Sequence, residues 1–574
     1  MSENQKKPLK LVVVGGVAGG ASAAARVRRL DEKAEIVMFE KGRHVSFSNC
    51  CLPYHLSGTI ADSEDLVLMT PEKFRSQYNI DARTDSEVTG IDRDRKCVTV
   101  KNLLTGETYE ESFDKLVLSP GANPIFPSSI EGIERENVYA VRNVEDIRAL
   151  KAAAEKEGTD NIAVVGGGFI GIEVAENLRN AGKNVSVIEG TEQIMPPFDY
   201  DMVQILHKEL DDNGVSLYVS TTVTAIGDRW VKAIKNGKEL EIPADIVVMA
   251  AGVAPETKLA KQAGLEIGKT RGIKVNHNYQ TSDPDIYAVG DAIEIFQDLT
   301  HAEGRLALAG PAQWQARAAA DHICGTCGRR KGYIGSSCIR VFSQNAAATG
   351  LSEKAAERAG YTYDSVLVFP PDKVGLMPES HYLAFKLIFE VPTGRILGAQ
   401  AIGKGEADKR VDVIAAMITM NATLEDLKDL ELCYSPVFGT AKDVVNQAAL
   451  VGLNILYGKY RQVHVNEVRG LVEKGAYIID VREEPEFAAG HLKGAHNIPL
   501  SRLRSRMDEI PRDLPVYLHC RSSQRSYYAL CCLQGAGFRN LYNISGSYLG
   551  ISLYEYFNDK TEGRTPILDR YNFN

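Results

Sequence analysis

Ile162-Ala163-Val164-Val165-Gly166-Gly167-Gly168-Phe169-Ile170-Gly171 decides the fold of this chain. The apolar run reads as a buried strand, and Gly166, Gly168 and Gly171 form a strict GxGxxG turn into a helix predicted over 172–180. A second strand, Asn184 to Ile188, closes on Glu189. Glycines at this spacing let the backbone approach a pyrophosphate at the helix N-terminus, and an acid about twenty residues on accepts from a ribose hydroxyl. The unit therefore reads as a dinucleotide site with Phe169 and Ile170 in its turn. Glu189 would repel a 2′-phosphate, and no arginine follows it to host one, so NADH is expected over NADPH.

The same unit stands at the start of the chain. Lys10 to Gly15 is a strand, Gly15-Gly16-Val17-Ala18-Gly19-Gly20 the turn, Ala21 to Leu30 a helix, and Glu35 to Phe39 a second strand ending at Glu40. Val17 takes the middle glycine position, a departure from the strict pattern. Two dinucleotide sites in one chain imply electron transfer between two cofactors. Three further strand ends, carrying Ser119 and Gly121, Gly252, and Gly290-Asp291, suit a chain that returns beside the first nucleotide.

Between the two turns lies Val45-Ser46-Phe47-Ser48-Asn49-Cys50-Cys51-Leu52-Pro53-Tyr54. Ser46, Asn49 and nearby Arg43 supply donors and a cation that favour a thiolate, although cysteine is as often a small buried hydrophobe. The 574 residues include ten cysteines in no secretory pairing pattern, and the polar start Met1 to Lys10 is too short for a signal peptide. A reducing, cytoplasmic setting is expected. No apolar run is long enough to span a membrane, and a net charge of −9 argues against nucleic acid as a partner. Cys324-Gly325-Thr326-Cys327 has no second ligand pair, so it reads as structural, and no metal site is expected.

In this order, the glycine turns, the cysteine stretch and Gly290-Asp291 resemble the two-dinucleotide-domain flavoprotein disulfide reductases, over residues 8 to about 455. The resemblance implies an α/β fold with two Rossmann-like domains of the glutathione-reductase type. An FAD domain over 8–117 and 253–325 would be interrupted by an NADH domain over 118–252 and followed by an α+β dimerisation domain over 326–455. FAD would be held by Gly15, Val17, Ala18, Gly19, Gly20, Glu40, Ser119, Gly121, Gly252, Gly290 and Asp291. A helix begun near Pro311-Ala312 would face the flavin. Ser46-Phe47-x-x-Cys50-x-x-Pro53-Tyr54 resembles the single-cysteine branch, which includes coenzyme A disulfide reductases, NADH-dependent persulfide reductases, NADH oxidases and peroxidases. Cys50 would be the redox thiol, with Ser46 and Asn49 beside it. Coenzyme A is then expected as substrate or as a mixed disulfide on Cys50, with Arg26, Arg29 and Lys73 as phosphate anchors. Cys433-Tyr434-Ser435-Pro436 resembles the stretch that crosses a homodimer, so Tyr434 would reach the partner subunit's cysteine. Leu376-Met377-Pro378 lacks the tyrosine usual in coenzyme A reductases, and Tyr382 is the nearby substitute.

After a linker near 456–462 the pattern changes. Asp480-Val481-Arg482-Glu483, Gly490-His491 and the loop His519-Cys520-Arg521-Ser522-Ser523-Gln524-Arg525-Ser526 resemble an α/β rhodanese domain, over 463–574. A strand running into a cysteine loop at a helix start gathers backbone N–H groups that stabilise an anion. The four residues between Cys520 and Arg525 make a tighter loop than the five of phosphatase relatives, and Ser523 stands where glycine is common. The fusion implies reduction of a small thiol disulfide, persulfide or polysulfide by NADH, coupled to sulfur transfer through Cys520 and Arg525. The alternatives are an NADH oxidase or peroxidase cycling Cys50 through a sulfenic acid, and a sulfur-carrier or redox-sensing module.

Overall fold

A computed structural model describes residues 7–328 and 332–573. The polar start before Lys7 therefore lies outside the described residues. The chain divides into two compact units, residues 1–190 with 220–333, and residues 191–219 with 334–574.

The first unit holds two parallel sheets. One orders its strands Ile286–Ala288, Lys115–Leu118, Lys10–Val14, Glu35–Phe39 and Asp81–Arg83. Leu11, Val12 and Val13 are fully buried, as strands covered on both faces require. The helix Ala18–Leu30 packs on the helix Ala309–Ile323 through Ala23, Ala24, Ala316 and Ala319, small residues that let two helix axes approach closely. The buried guanidinium of Arg28, in the last turn of the first helix, donates to five carbonyls, including Tyr78 at 2.8 Å and Ala34 at 2.7 Å. A cation there satisfies the carbonyl end of the helix and its dipole. The second sheet pairs Asn184–Ile188, Asn161–Val165, Ile246–Met249 and Val138–Tyr139 in parallel.

Both nucleotide helices start earlier than their sequence predicts, at Ala18 and Phe169. The later glycines of each turn are thus inside the first helical turn, where they meet backbone. A Cβ on Gly20 would lie 1.8 Å from the Gly15 carbonyl oxygen, and one on Gly171 2.0 Å from that of Gly166.

The second unit combines an antiparallel sheet with a parallel one. The antiparallel sheet runs Ser336–Val341, Gln344–Gly350, Ile396–Gly403, Leu383–Glu390, Tyr363–Val368, covered by helices Ala407–Thr419 and Val444–Leu456. The parallel sheet runs Arg461–Val463, Leu541–Ile544, Val516–His519, Tyr477–Asp480, His496–Asn497. The predicted linker is mostly absent. Tyr460 is buried in the core of the C-terminal domain, and Val451 and Ile455 of the preceding helix pack on that core. Gln462 donates to the Ser365 carbonyl at 2.8 Å. Helix Ser547–Glu562 packs on helix Tyr200–Asp212, with the His207 and Phe557 rings 4.8 Å apart.

At the centre of this unit Lys386 is 2% exposed, 2.8 Å from Asp201, 3.0 Å from Glu353 and 3.4 Å from Asp199. Burial alone would lower its pKa, but the surrounding carboxylates raise it well above the ordinary lysine value.

Candidate active site

Cys50 lies on a 3₁₀ helix, Asn49–His55. Two contacts hold this segment against the nucleotide turns. The Ser46 N–H donates to the Gly16 carbonyl at 2.7 Å, with Ser46 itself left-handed at φ 50°, and Ser57 Oγ donates to Asn177 Oδ1 at 2.7 Å from the helix Phe169–Asn180. The segment carrying Cys50, itself exposed, is therefore held between the first dinucleotide turn and the helix that opens the second.

The electrostatics there run opposite to the expectation from Arg43, Ser46 and Asn49. Burial pushes the Cys50 thiol up, and Glu173, Cys51 and Asp291 push it further. Glu173, on the same helix as Asn177, is itself raised to about 7 by burial and by Glu176. Both Glu173 and Asn177 escaped the sequence reading. Their signal was their i, i+4 spacing on the helix after GxGxxG, which puts them on one face.

The first turn fits an FAD nucleotide. Glu40 accepts from Gly16 N–H and Gly42 N–H, each at 2.8 Å, and so lies across the turn where ribose hydroxyls are met. Val17 precedes the helix that begins at Ala18 and carries Gly19. Ser119 packs on Gly19, and Gly121 and Gly252 have positive φ, Gly121 with open space around it. Asp291 is held largely out of water, which raises its pKa, with no charge or hydrogen bond among the causes. Such a carboxylate suits a ligand hydroxyl. Gln315, another unforeseen residue, accepts from Gly290 N–H at 2.7 Å and keeps a buried Nε2 without a partner. Pro311 and Ala312 lie within the first turn of the helix Ala309–Ile323. In the second turn Glu189 accepts from Gly167 N–H at 2.7 Å, and a Cβ on Gly168 would meet nothing within 4 Å, which leaves room for a pyrophosphate. Phe169 and Ile170 open the following helix, Ile170 exposed.

Of the expected phosphate anchors, Arg26 is held by Asp321 at 2.7 Å, whereas Arg29 and Lys73 are exposed. Tyr434, in the second unit, is 51% exposed, and Val437 and Phe438 in the same stretch are exposed as well. Exposed apolar clusters of this kind mark interaction surfaces. Tyr382, at 48% exposure, bridges to Pro371.

The C-terminal site is built from strand Val516–His519, a loop, and helix Gln524–Gly535. Ser523 accepts a left-handed φ of 72° to turn the chain, the conformation that explains why glycine is common there. Cys520 is 1% exposed. Its N–H donates to Ser547 Oγ at 3.2 Å, and Ser526 Oγ lies 3.7 Å from its sulfur. Arg525 is not open to an anion as its motif position suggested, because both terminal nitrogens donate to Glu486, each at 2.7 Å. Behind the loop Arg482 pairs with Asp480 at 2.6 Å and lies 4.0 Å from the Tyr548 ring centroid, beside a His519 whose pKa burial lowers. Ser547 Oγ donates to the Ile544 carbonyl, so the helix start and the Ser526 hydroxyl are the groups at this sulfur that suit an anion.

The profile of the pyridine nucleotide-disulphide oxidoreductase family matches residues 9–316. The chain belongs to this family. The dimerisation domain of these oxidoreductases matches residues 337–444, and a rhodanese-like domain matches 464–553. Among solved structures, the reduced CoADR-RHD of Bacillus anthracis is 42% identical over 97% of this chain and 99% of its own, with a TM-score of 0.92. An NAD-dependent persulfide reductase from A. fulgidus is 35% identical over 95% of this chain and 100% of its own, with a TM-score of 0.89. Coenzyme A disulfide reductase of Staphylococcus epidermidis is 33% identical over 76% of this chain and 98% of its own length. The expected α/β architecture and C-terminal rhodanese domain are thus present, and FAD and NADH are the cofactors of this oxidoreductase. Among the described residues no helix is long and apolar enough to cross a membrane.

Proposed function

We propose that the chain is an NADH-dependent reductase of coenzyme A disulfide or persulfide, or of related small persulfides and polysulfides, with a rhodanese domain that handles the same sulfur. The observation that carries this reading is the position of the exposed Cys50, on a segment anchored at Ser46 to the first nucleotide turn and at Ser57 to the helix after the second, in a chain that also holds a buried rhodanese cysteine. The proposed domains are 8–117 with 253–325 for FAD, 118–252 for NADH, 326–455 for dimerisation and 463–574 for the rhodanese.

FAD, when bound, supplies the two-electron relay between NADH and a thiol. The protein's own residues do the rest. Glu40, Asp291 and Glu189 accept from ligand hydroxyls, and the glycine turns admit pyrophosphate. The Cys50 thiolate attacks the inner sulfur of R–S–SH. The S–S bond breaks, HS⁻ leaves, and a Cys50–S–S–R mixed disulfide forms. Two electrons from NADH and a proton then return Cys50 to thiolate and release RSH. The net change is NADH, a proton and RSSH to NAD⁺, RSH and H₂S. Tyr434 of the partner subunit offers its hydroxyl to the sulfur entering or leaving at Cys50, and Arg29 and Lys73, with Arg26 beside Asp321, hold the phosphates of the thiol. Steady NADH oxidation with stoichiometric sulfide release from coenzyme A persulfide tests this reading. Turnover with oxygen or peroxide alone would move the chain to the oxidases and peroxidases.

A further inference from the structure

The second unit contains a cleft of about 1150 Å³ that the mechanism above does not use. Part of its lining is the rhodanese loop itself, Ser522, Ser523 and Gln524, with Tyr528 one turn further along the helix. The dimerisation domain contributes Tyr382, Lys404 and Lys442. Tyr382 also acts on Arg521, the residue after Cys520, whose pKa burial lowers.

Three features define the ligand class. Lys404 and Lys442 are exposed and form no ion pair among the described residues, whereas Lys208 is paired with Asp212 and the remaining lining carboxylate, Glu209, is mostly buried and accepts from Ser343 N–H at 2.8 Å. Two exposed ammonium groups without an ion pair among the described residues call for an anion. Half-exposed Tyr382 and Tyr528 line the cleft, and aromatic rings suit a planar base. The volume stands above the roughly 300–1,000 Å³ of ordinary small-ligand pockets, far more than thiosulfate or cysteine fills. Cys520 is buried, so an acceptor has to reach it with a narrow arm while its charged bulk stays in the wider space.

We propose that this cleft binds the thiol that takes sulfur from Cys520, a phosphate-bearing nucleotide thiol of coenzyme A size. Lys404 and Lys442 hold its phosphates, and its base lies against Tyr382. The proposal rests on the reading of Cys520 as a sulfur carrier. It also moves Tyr382 from the Cys50 site, where the sequence placed it, to the rhodanese. In the loading step the Cys520 thiolate attacks the outer sulfur of thiosulfate; the S–S bond of the donor breaks, sulfite leaves with its electron pair, and Cys520–S–S⁻ forms. The acceptor thiol then attacks the outer sulfur, a new S–S bond forms as the old one breaks, and the electron pair goes to Cys520 Sγ. The products are RSSH and the Cys520 thiolate, with no net oxidation.

The test uses the full-length protein, thiosulfate as donor, coenzyme A as acceptor and no NADH. In Lys404→Glu/Lys442→Glu the KM for coenzyme A should rise at least tenfold with kcat within about twofold, and Lys404→Arg/Lys442→Arg should restore it. In the wild type, pantetheine, which lacks the phosphates, should show a KM at least tenfold above that of coenzyme A. An unchanged KM in the Glu variant, or equal KM values for the two thiols, would overturn the proposal. If the Glu variant also loses NADH-driven reduction of supplied coenzyme A persulfide, its lesion is general and the pantetheine comparison decides. If sulfur transfer responds as stated but the supplied persulfide is not reduced in the wild type, the reductase reading falls and the cleft stands.

Discussion

Arg525 and Glu486 form a two-pronged ion pair, both contacts 2.7 Å, across the mouth of the rhodanese loop. The pair is about one-third exposed on each side, so it contributes little stability, about 0–1 kcal/mol. Its effect is geometric, because it fixes the arginine in one orientation beside the loop that carries Cys520.

Glu486→Gln should therefore lower kcat for thiosulfate sulfur transfer about tenfold while leaving NADH-driven reduction unchanged. Circular-dichroism melting should show a Tm within a few degrees of wild type. Full sulfur-transfer activity in the variant would show that the orientation of Arg525 is immaterial.

Glu173 predicts a pH effect at Cys50. Its carboxyl, raised to about 7, is neutral below that pH and charged above it, and its charge raises the pKa of the Cys50 thiol. Removing the charge in Glu173→Gln should move the midpoint of Cys50 alkylation by iodoacetamide to lower pH by at least half a unit. A midpoint that stays put would separate the two residues.

Cofactor choice should follow Glu189. NADH should exceed NADPH in kcat/KM by at least tenfold, because a 2′-phosphate meets a like charge at the ribose position. Equal values for the two nucleotides would remove Glu189 from that role.

The buried Lys386 cluster should be unforgiving. Lys386→Met leaves Asp199, Asp201 and Glu353 facing one another with no cation, and urea unfolding should show a loss of about 3–5 kcal/mol. Adding Asp199→Asn should recover part of it. A loss below about 1 kcal/mol would mean that the cluster is well solvated.

Sulfur entry should depend on Cys520 alone. Cys520→Ser should abolish transfer from thiosulfate and leave reduction of supplied persulfide intact, a comparison better made by substitution than by cutting near residue 460. The cut would strip the cover from Val451, Ile455 and Tyr460. Equal sulfide release from thiosulfate in wild type and variant would take the rhodanese off the reductive path.

Local chemistry was legible in the sequence. Gly15 and Gly166 sit at φ 96° and 116°, where other residues are strained, so the turns announce themselves, and Glu40 and Glu189 follow at the strand ends the pattern requires. The Cys520 loop was plain as a motif, unlike the left-handed Ser523 and the pairing of Arg525 with Glu486. Features made by distant residues were not. Glu173 acts on Cys50 from more than a hundred positions away, so the expected cation-favoured thiolate became a thiol flanked by carboxylates. Lys386 lies in a strand that reads as apolar between Leu383 and Phe389 apart from it, and its acidic partners come from two separate segments, Asp199 with Asp201 and Glu353. The docking of the rhodanese through Tyr460 and Gln462 likewise turned an expected linker into core.

The central claim is that Cys50 carries NADH electrons to sulfur, and steady-state NADH oxidation with coenzyme A persulfide in Cys50→Ser, sulfide measured alongside, tests it most directly. FAD should remain bound and be reduced by NADH, since its contacts at Gly15 to Gly20, Glu40 and Asp291 are untouched, while turnover and sulfide release fall at least a thousandfold. Sulfide release at the wild-type rate would contradict the account.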